Sequence, residues 1–410
     1  MNYYDRLETR DPAVREVELM QALPALITHA RQNTAAFARI LAGVEAASVT
    51  NREALARLPV TRKSELQALQ QQQRPFGGLT TVAPGELARI FQSPGPLYDP
   101  EGRRPDYWRL ARALFAAGFR QGDLIHNCFS YHFTPAGSML ETGAHALGCA
   151  VFPAGVGQTE LQVIAIADLQ PQGYVGTPSF LKIILDKAAD RGVAISSLKK
   201  ALVTAEALPP SLRREIQQYG VQVFQCYVTA DLGLIAYETP SLEGMVVDEG
   251  VLIEIVRPGT GEPVPEGEVG ELVVTTFTPE YPLIRFGTGD LSAILPGPSP
   301  CGRTNTRIKG WLGRADQTTK VKGMFVHPSQ VAEVLKRHPQ VLKGRLVVDS
   351  EGHTDVMTLH CEVAVVDPAL EKALVASLRE VCKLRGGVVL VAPGTLPKDG
   401  KVIDDIRTYE

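Results

Sequence analysis

The stretch RFGTGDL, from Arg285 to Leu291, is predicted to close a strand and carries a carboxylate near its end. Two glycines in this stretch allow a tight backbone, and Asp290 comes where the predicted strand is expected to close. A carboxylate at a strand end can accept two hydrogen bonds from a ribose diol. Taken alone, however, the pattern favours a β-turn with a solvated Asp290.

A second group of polar residues lies in QCYVTADLG, residues 225–233, after another predicted strand. The ring of Tyr227 could stack on a purine, a contact worth about 1–3 kcal/mol per base in nucleic-acid complexes. Thr229 offers a hydroxyl, and Asp231 could hold Mg²⁺ as a hard oxygen ligand. Each of these signals is weak alone, so they predict nucleotide binding only in combination.

Charged residues near the C-terminus could act when one part of the molecule moves. The stretch GRADQTTKVKG, residues 313–323, contains Arg314 and Asp316 where strand-rich sequence gives way to a final α+β segment. Such a boundary can serve as a hinge, or it can be an exposed charged linker. In LPKDGKVID, residues 396–404, Lys401 follows a glycine on a predicted loop. Lys401 could reach a phosphate as a point charge, although a solvated tail is the simpler interpretation.

The stretch FQSPGPLYDPEG, residues 91–102, is predicted to be a glycine-containing loop after a short strand, a common position for a phosphate-binding loop. Ser93 and Gly95 suit that role. Its prolines have no N–H group to offer a phosphate, and the negative charge of Asp99 would weaken triphosphate binding unless it points to water. The stretch therefore keeps the position of a phosphate loop and lacks most of its chemistry.

The hydrophobic pattern predicts the elements that must position these residues. Apolar residues at helical spacing predict helices over residues 12–70, with Asn51 and Thr61 as N-caps. Between 105 and 240, short β-branched runs alternate with helical stretches, which is typical of βαβ units and a mostly parallel sheet. Strands without helices follow from 246 to 300, before a compact α+β segment.

The predicted fold class is α/β. We expect a large N-terminal domain over residues 1–315, made of a helical segment at 1–88, an α/β core at 89–240 and a β-rich subdomain at 241–315. A small C-terminal α+β domain, residues 316–410, would act as a mobile lid. The length of 410 residues agrees with two or three domains.

Composition argues against several classes of protein. The net charge is −3, so no global basic field indicates nucleic-acid binding. No uncharged apolar run reaches the ~18 residues of a membrane span, and the N-terminus has no apolar signal-peptide core. The six cysteines are scattered, which predicts reduced thiols in a cytoplasmic protein. A zinc site near Cys128 and His132 is a less favoured alternative.

The order and spacing of these motifs are more specific than any one of them. The chain resembles the adenylate-forming acyl-CoA synthetase superfamily, and closely its phenylacetate–CoA ligase branch, over nearly its whole length. The resemblance rests on RLPVTRKSEL, VFPAGVGQTELQ, GTPSFL, TAEAL, PLIRFGTGDL, LPKDGKV and above all GRADQTTKVKG followed by V-x-PSQ. It implies that ATP and a carboxylate, by default an aryl acid such as phenylacetate, give an acyl-adenylate and pyrophosphate. The C-terminal domain then rotates, and the coenzyme A thiolate displaces AMP.

The resemblance also implies which residues bind the nucleotide. Asp290 would hold the ribose hydroxyls with help from Arg314. Tyr227 would stack on adenine, with Glu206 and Ala207 nearby.

Further residues are implied for metal binding, hinge motion and catalysis. Asp231 would bind Mg²⁺, Asp316 would be the hinge, and Lys401 would stabilise the adenylation step. The stretch FSYHFTPAG falls where the family places its acyl pocket, but it could equally be an ordinary apolar helix start. The predicted pocket residues are Phe129, Tyr131, His132 and Phe133.

The loop at 91–102 departs from the family, because Asp99 stands where a lysine is expected and only Ser93, Gly95 and Pro100 keep the family's pattern. One interpretation is an active ATP-dependent carboxylate–CoA ligase. Another is a weak or inactive relative that binds a nucleotide, an acyl group or coenzyme A. A third is adenylyl transfer to a non-carboxylate acceptor.

We predict the ligase, since Asp290, Asp316 and Lys401 are retained. Its cofactors would be ATP or AMP, coenzyme A and Mg²⁺, and its partner a small carboxylic acid. A homodimer is left open.

Overall fold

The structure, a computed structural model, describes residues 2–93, 96–257, 260–315, 319–322, 324–326, 328–351, 354–397 and 401–407. The chain divides into two compact units, Met1–Trp311 and Leu312–Glu410. The sequence placed this boundary after residue 315, and the role of the second unit as a lid stays a prediction. Among the described helices, none combines the length and the apolar composition that a membrane span requires.

The first unit contains helices before residue 73 and throughout the alternating region. In chain order they are α1 (Pro12–Asn33), α2 (Ala35–Ile40), α3 (Arg52–Ala56), α4 (Leu66–Gln72), α5 (Leu110–Ala116), α6 (Ala136–Leu147), α7 (Thr159–Leu169), α8 (Pro178–Asp190) and α9 (Pro210–Gln218). Asn51 caps α3 as predicted, because its side chain accepts a hydrogen bond from the N–H of Ala54. Thr61 was wrongly predicted to be an N-cap, since it lies in a strand.

The strands of the first unit are mostly short. They are β1 (Thr61–Arg62), β2 (Arg89–Ser93), β3 (Leu97–Glu101), β4 (Leu124–Asn127), β5 (Ala150–Phe152), β6 (Gly173–Gly176), β7 (Lys200–Val203), β8 (Gln222–Thr229), β9 (Gly233–Tyr237), β10 (Met245–Val247), β11 (Val251–Val256), β12 (Gly270–Thr276), β13 (Phe286–Ser292), β14 (Ile294–Leu295) and β15 (Arg307–Ile308).

The largest sheet confirms the predicted α/β class. Its strand order is β14-β15-β10-β9-β8-β7-β6-β4-β5. The neighbouring strands β5, β4, β6, β7 and β8 pair in parallel, and along the chain they alternate with α6 to α9. In contrast, β8 and β9 are antiparallel. Because helices connect parallel strands, the strand ends that carry polar loops meet at one edge of this sheet.

The strands from 245 onward are shared between two sheets. β10, β14 and β15 extend the largest sheet, while β11, β12 and β13 join β1 in a second one with the order β1-β13-β12-β11. All positions of β11 and β12 are buried. Their apolar side chains pack with Leu23 and Ile27 of α1 and Phe37 of α2 in one core. The N-terminal helices therefore cover the sheet that carries Asp290.

The second unit is an α+β structure with its own core. Its elements are β16 (Gly313–Arg314), β17 (Thr319–Val321), β18 (Met324–Val326), α10 (Pro328–Lys336), β19 (Val341–Glu351), β20 (Thr354–Val363), α11 (Pro368–Cys382), β21 (Gly387–Val391) and β22 (Ile403–Asp405). A sheet with the order β21-β20-β19-β22 packs with both helices through Val331, Leu346, Leu359 and Leu374.

Candidate functional site

The stretch predicted to be a phosphate loop is a β-hairpin. β2 and β3 are antiparallel, and Phe91 is opposite Asp99. The loop prediction was therefore wrong for these strands, because Pro100, one of the residues that indicated a loop, lies within β3 opposite Ile90. Ser93 is buried at the end of β2, and Gly95 lies outside the described residues.

Asp99 is the most unusual side chain of this hairpin. It is 0% exposed, so it does not point to water. Among the described residues, neither of its carboxylate oxygens has a hydrogen-bond partner. Burial, followed by the negative charge of Asp231, raises the pKa of Asp99 to about 7, although the Lys63 ammonium acts in the opposite direction. The hairpin thus holds an acid where the resemblance implied a lysine.

Asp231 occupies the turn between β8 and β9. Its side chain is buried and its Oδ2 accepts a hydrogen bond from Lys63 Nζ at 2.6 Å. Lys63 directly follows β1 and keeps part of its side chain exposed. The sequence analysis missed Lys63 as a functional candidate, although it lies within the RLPVTRKSEL stretch. No local pattern identifies this pair, because the two residues are 168 positions apart.

Asp290 lies within β13 and not at a strand end, which corrects the first expectation. It is 9% exposed, so it is not the solvated turn residue of the simpler interpretation. The Tyr227 hydroxyl donates to its Oδ2 at 2.5 Å, and Trp311 Nε1–H donates to its Oδ1 at 3.1 Å. Trp311 was missed by the sequence analysis. These contacts fix the carboxylate and join β8 to β13, as a preorganised acceptor requires.

The β8–β9 hairpin that carries Tyr227 and Asp231 is held by Trp108 and Arg109. The Arg109 guanidinium donates to the carbonyl oxygens of Leu232 and Leu234 and to Asp248. Gly233 has φ +71°, and a Cβ there would lie 2.8 Å from the Trp108 carbonyl oxygen. Glycine is therefore needed at this turn.

Thr229 is the last residue of β8 and does not follow the strand, which corrects the expectation, whereas Glu206 lies after β7. The Thr229 hydroxyl accepts the N–H of Leu232, which helps to form the turn containing Asp231. Glu206 and Ala207 are exposed after β7, and Glu206 accepts a hydrogen bond from the Ser179 hydroxyl at 2.5 Å. Both Thr229 and Glu206 remain candidates for nucleotide contacts.

The four predicted acyl-pocket residues have different environments. Phe129 is packed in the core, whereas Phe133 is 74% exposed and has a left-handed φ of 62°. The Tyr131 hydroxyl donates to Glu141 at 2.7 Å, and His132 is exposed. The residues belong to the loop between β4 and α6, which is linked to the β2–β3 hairpin by a hydrogen bond from a backbone N–H to the Phe133 carbonyl, 2.8 Å long. The pocket stays a prediction.

Lys401 lies in the second unit before β22. Its side chain is half exposed, and Nζ is 2.7 Å from Asp404 Oδ1. Asp316, the predicted hinge, lies outside the described residues, as does the side chain of Arg314, whose backbone belongs to β16.

The zinc interpretation is not supported. Within the described ranges, no group of three or more His, Cys, Asp and Glu side chains is arranged to hold a metal ion. The Cys128 thiol is 3.7 Å from Gln162 Oε1, whereas His132 is on the surface. All six cysteines lie in the described part of the chain and are free thiols.

Comparison with family models gives matches in both units. A model described as "AMP-binding enzyme" matches residues 107–277, and one described as "AMP-binding enzyme C-terminal domain" matches residues 323–406.

Several curated proteins are similar over most of their length. A phenylacetate-coenzyme A ligase of Thermus thermophilus is 34% identical over 387 residues, which cover 89% of this chain and 85% of that protein. A phenylacetate-coenzyme A ligase of Pseudomonas putida is 29% identical and covers 97% of this chain and 95% of that protein.

A solved structure shares the fold. The crystal structure of a 2-hydroxyisobutyryl-CoA ligase in complex with 2-HIB-AMP and CoA has a TM-score of 0.77 and 24% sequence identity. The match covers 100% of this chain and 93% of that one.

Proposed function

Because this chain belongs to the AMP-binding enzyme family, we propose that it is an ATP-dependent acid–coenzyme A ligase that forms AMP. The observation that carries this conclusion is the similarity to phenylacetate-coenzyme A ligases, which extends over both compact units. ATP and coenzyme A are its substrates. Nothing in the comparisons favours an inactive relative or adenylyl transfer to another acceptor.

The reaction has two balanced steps. A carboxylate oxygen of the acid attacks the α-phosphorus of ATP, and the bond to pyrophosphate breaks. The coenzyme A thiolate then attacks the acyl carbon, and AMP leaves with the oxygen of the original carboxylate.

Asp290 is proposed to hold the ribose. Tyr227 and Trp311 each donate a hydrogen bond to one of its oxygens, and a buried, oriented carboxylate of this kind can accept hydrogen bonds from ribose hydroxyls. Since Tyr227 is hydrogen-bonded to the same carboxylate, its ring lies beside the proposed ribose site, where it can contact adenine.

The residues around the β8–β9 turn fit a role with Mg²⁺ and phosphate. The Asp231 carboxylate is a hard oxygen ligand, and its Oδ1 is buried without a hydrogen-bond partner within the described part of the chain. Lys63 supplies a positive charge at the same turn. When bound, Mg²⁺ would be held by Asp231 and would neutralise phosphate charge, while the Lys63 ammonium would attract a phosphate from the protein side.

We propose that Lys401 stabilises charge on the transferring phosphate and that Asp316 acts as the hinge. The exposure of Lys401 supports this role, because an ammonium that reaches a substrate must be able to leave its pairing with Asp404. Arg314 would assist Asp290. The C-terminal unit would serve as the lid for both half-reactions.

An aryl acid such as phenylacetate is the proposed substrate, since the curated relatives carry that name. Phe129, Tyr131, His132 and Phe133 are the proposed pocket residues. A homodimer and a cytoplasmic location are further predictions.

ATP–pyrophosphate exchange tests the proposed function. Purified protein is incubated with ATP, Mg²⁺ and labelled pyrophosphate, together with one acid from a panel of aryl and short aliphatic acids. We expect exchange that depends on an aryl acid, and acyl-CoA formation when coenzyme A is added. Thermal stabilisation by AMP or coenzyme A without exchange for any acid would instead show a binding protein. Reactions without acid are the control.

A further inference from the structure

Two cationic side chains of β19 contact the backbone on either side of residues 398–400, which lie outside the described part of the chain. Before them, Lys343 Nζ donates to the Pro397 carbonyl oxygen at 2.7 Å. After them, Arg345 Nε donates to the Lys401 carbonyl oxygen at 3.3 Å. Because Lys343 and Arg345 are two positions apart in one strand, their side chains leave the same face of the sheet. One strand therefore contacts the chain on both sides of this segment.

Arg345 contacts both the backbone and the side-chain partner of Lys401. It is 4% exposed, and its guanidinium also donates to Asp404 Oδ2 at 3.3 Å. Lys401 Nζ donates to the other oxygen of the same carboxylate, Oδ1, at 2.7 Å. A buried guanidinium is costly unless it is paired, so these contacts fix the two residues to β19.

Backbone hydrogen bonds support the same placement. β22 pairs in parallel with β19, where Ile403 is opposite Leu346, and the Leu346 N–H donates to the Val402 carbonyl oxygen at 2.9 Å. Ahead of residues 398–400, the Leu396 N–H donates to the buried Glu362 at 2.7 Å. The sheet of the second unit thus holds the chain at 396–397 and at 401–403.

This hold bears on where the Lys401 ammonium can go. A group that stabilises a transition state loses much of its effect when it is misplaced by about 1 Å. The lysine side chain is long and flexible, so a fixed backbone limits the positions that Nζ can reach. Arg345 also shares the Asp404 carboxylate with Lys401, which weakens the attraction that Lys401 must overcome to reach a phosphate.

We propose that Arg345 and Lys343 are positioning residues for Lys401, which hold the backbone from which its ammonium reaches the transferring phosphate. This rests on the proposed function, in which Lys401 stabilises the adenylation step. Neither side chain needs to touch the substrate. Their loss should therefore slow adenylation and leave the reaction of a preformed acyl-adenylate with coenzyme A unchanged.

Separate assays of the two half-reactions test the proposal in the full chain, with the acid that supports pyrophosphate exchange. Hydroxylamine trapping measures acyl-adenylate formation, and acyl-CoA formation from chemically prepared acyl-adenylate measures the second step. Arg345→Met should slow adenylation ~10-fold or more, and Lys343→Met should slow it less, because it removes only the contact with Pro397. Both should leave the second step unchanged. Arg379→Met and Lys372→Met, at exposed positions of α11, are the matched controls and should change neither step.

Double variants with Lys401→Ala separate positioning from a purely structural role. If Arg345 and Lys343 act through Lys401, neither substitution should slow adenylation further once Lys401 is absent. A further loss in the Lys401→Ala background would overturn the proposal. If Arg345→Met does not fold, Lys343→Met decides, because its side chain is only half-buried. Normal adenylation in Lys343→Met, or an equal loss in both half-reactions, would then overturn the proposal.

Hydrogen exchange followed by mass spectrometry tests the same contacts without any substrate. The amides of residues 396–402 should exchange faster in Arg345→Met and Lys343→Met than in the unmodified protein or the two controls. Unchanged amide exchange would overturn the proposal whether or not the protein is a ligase. Faster amide exchange, in a protein that shows no pyrophosphate exchange with any acid, would support the contacts and refute the ligase. Normal adenylation by Lys401→Ala would refute the role of Lys401, and the positioning role with it, while the ligase stands.

Discussion

At the scale of single residues, a few side chains are separated from solvent by the fold and others are kept available. Asp290 and Asp231 are held in buried positions by Tyr227 and Lys63. Lys401, by contrast, is half exposed and forms an ion pair with Asp404. Buried groups are preorganised for binding, while an exposed lysine can change its partner at little cost. The two kinds of residue should therefore respond differently to mutation.

Lys401→Ala should reduce adenylation at least ~100-fold, the usual loss when one transition-state donor is removed. The fold should be unaffected, since a surface ion pair contributes about 1 kcal/mol or less. The measurement is hydroxylamine-trapped acyl-adenylate, together with thermal unfolding. Lys372→Ala, an exposed lysine on α11, is the matched control. An unchanged rate of trapped adenylate in Lys401→Ala would refute the assigned role.

Because the His126 side chain is buried, we predict that the stability of the fold depends on pH. Burial lowers its pKa below the usual value, although a hydrogen bond to Gln162 opposes this. As the pH falls through about 6.5, the unfolded chain binds a proton that the folded chain does not. The free energy of unfolding should therefore fall with decreasing pH.

The wild type should lose stability relative to His126→Asn between pH 7 and 5, by up to about 1.4 kcal/mol per pH unit. Urea unfolding of the first unit at each pH measures the difference. His132→Asn, at an exposed position, should show no such trend. A difference between wild type and His126→Asn that stays constant with pH would contradict the explanation.

At the scale of elements, the sequence predicted more of the fold than of the site. The βαβ region was identified because each helix and strand carries its own periodicity, and GYVG and VLIEIV became β6 and β11. The β2–β3 hairpin was missed because its Pro and Gly residues indicate a loop, whereas the Gln70 side chain holds β3 through two hydrogen bonds to the backbone of Tyr98. The sequence analysis placed Asp290 at a strand end because the two glycines before it also indicate a turn.

The partners of the site residues could not be predicted in this way. Lys63 and Asp231 meet only because β1 lies beside β13 and the β8–β9 turn approaches it. Trp311 reaches Asp290 from 21 positions further along the chain. Such pairs depend on sheet order, which local periodicity does not encode.

The Arg285 side chain connects β11, the end of α3 and the segment at Gly261. We therefore predict a large loss of stability when it is replaced. It is fully buried and donates to Glu254 of β11 at 2.9 Å, to the Ala56 carbonyl at the end of α3 and to the Gly261 carbonyl, both at 2.7 Å. Arg285→Met should lower the free energy of unfolding by about 3–5 kcal/mol, because the buried Glu254 loses its partner.

Urea unfolding measures this loss. The Arg285→Met, Glu254→Leu double variant should recover part of it, since no unpaired charge is left. Arg57→Met removes an exposed ion pair with Glu53 and should cost less than about 1 kcal/mol. Equal losses for Arg57→Met and Arg285→Met would show that burial of the ion pair is not the cause.

At the scale of the whole molecule, the compact units differ from the segments that composition suggested. The predicted β-rich subdomain at 241–315 contains strands of two sheets, because β10 pairs with β9 and β13 pairs with β1. Its buried surfaces therefore depend on residues before 241. In its described residues, the second unit, 312–410, has a two-stranded and a four-stranded sheet, two helices and a core formed by its own side chains.

This difference predicts which fragments fold. Residues 312–410 expressed alone should show a cooperative thermal transition by circular dichroism, because their core is complete. Residues 241–315 expressed alone should show none, since their strands lack the pairing partners β1 and β9. A fragment 312–410 without a transition would mean that its core needs the first unit. A cooperative transition in 241–315 would mean that its strands form a core independently of both sheets.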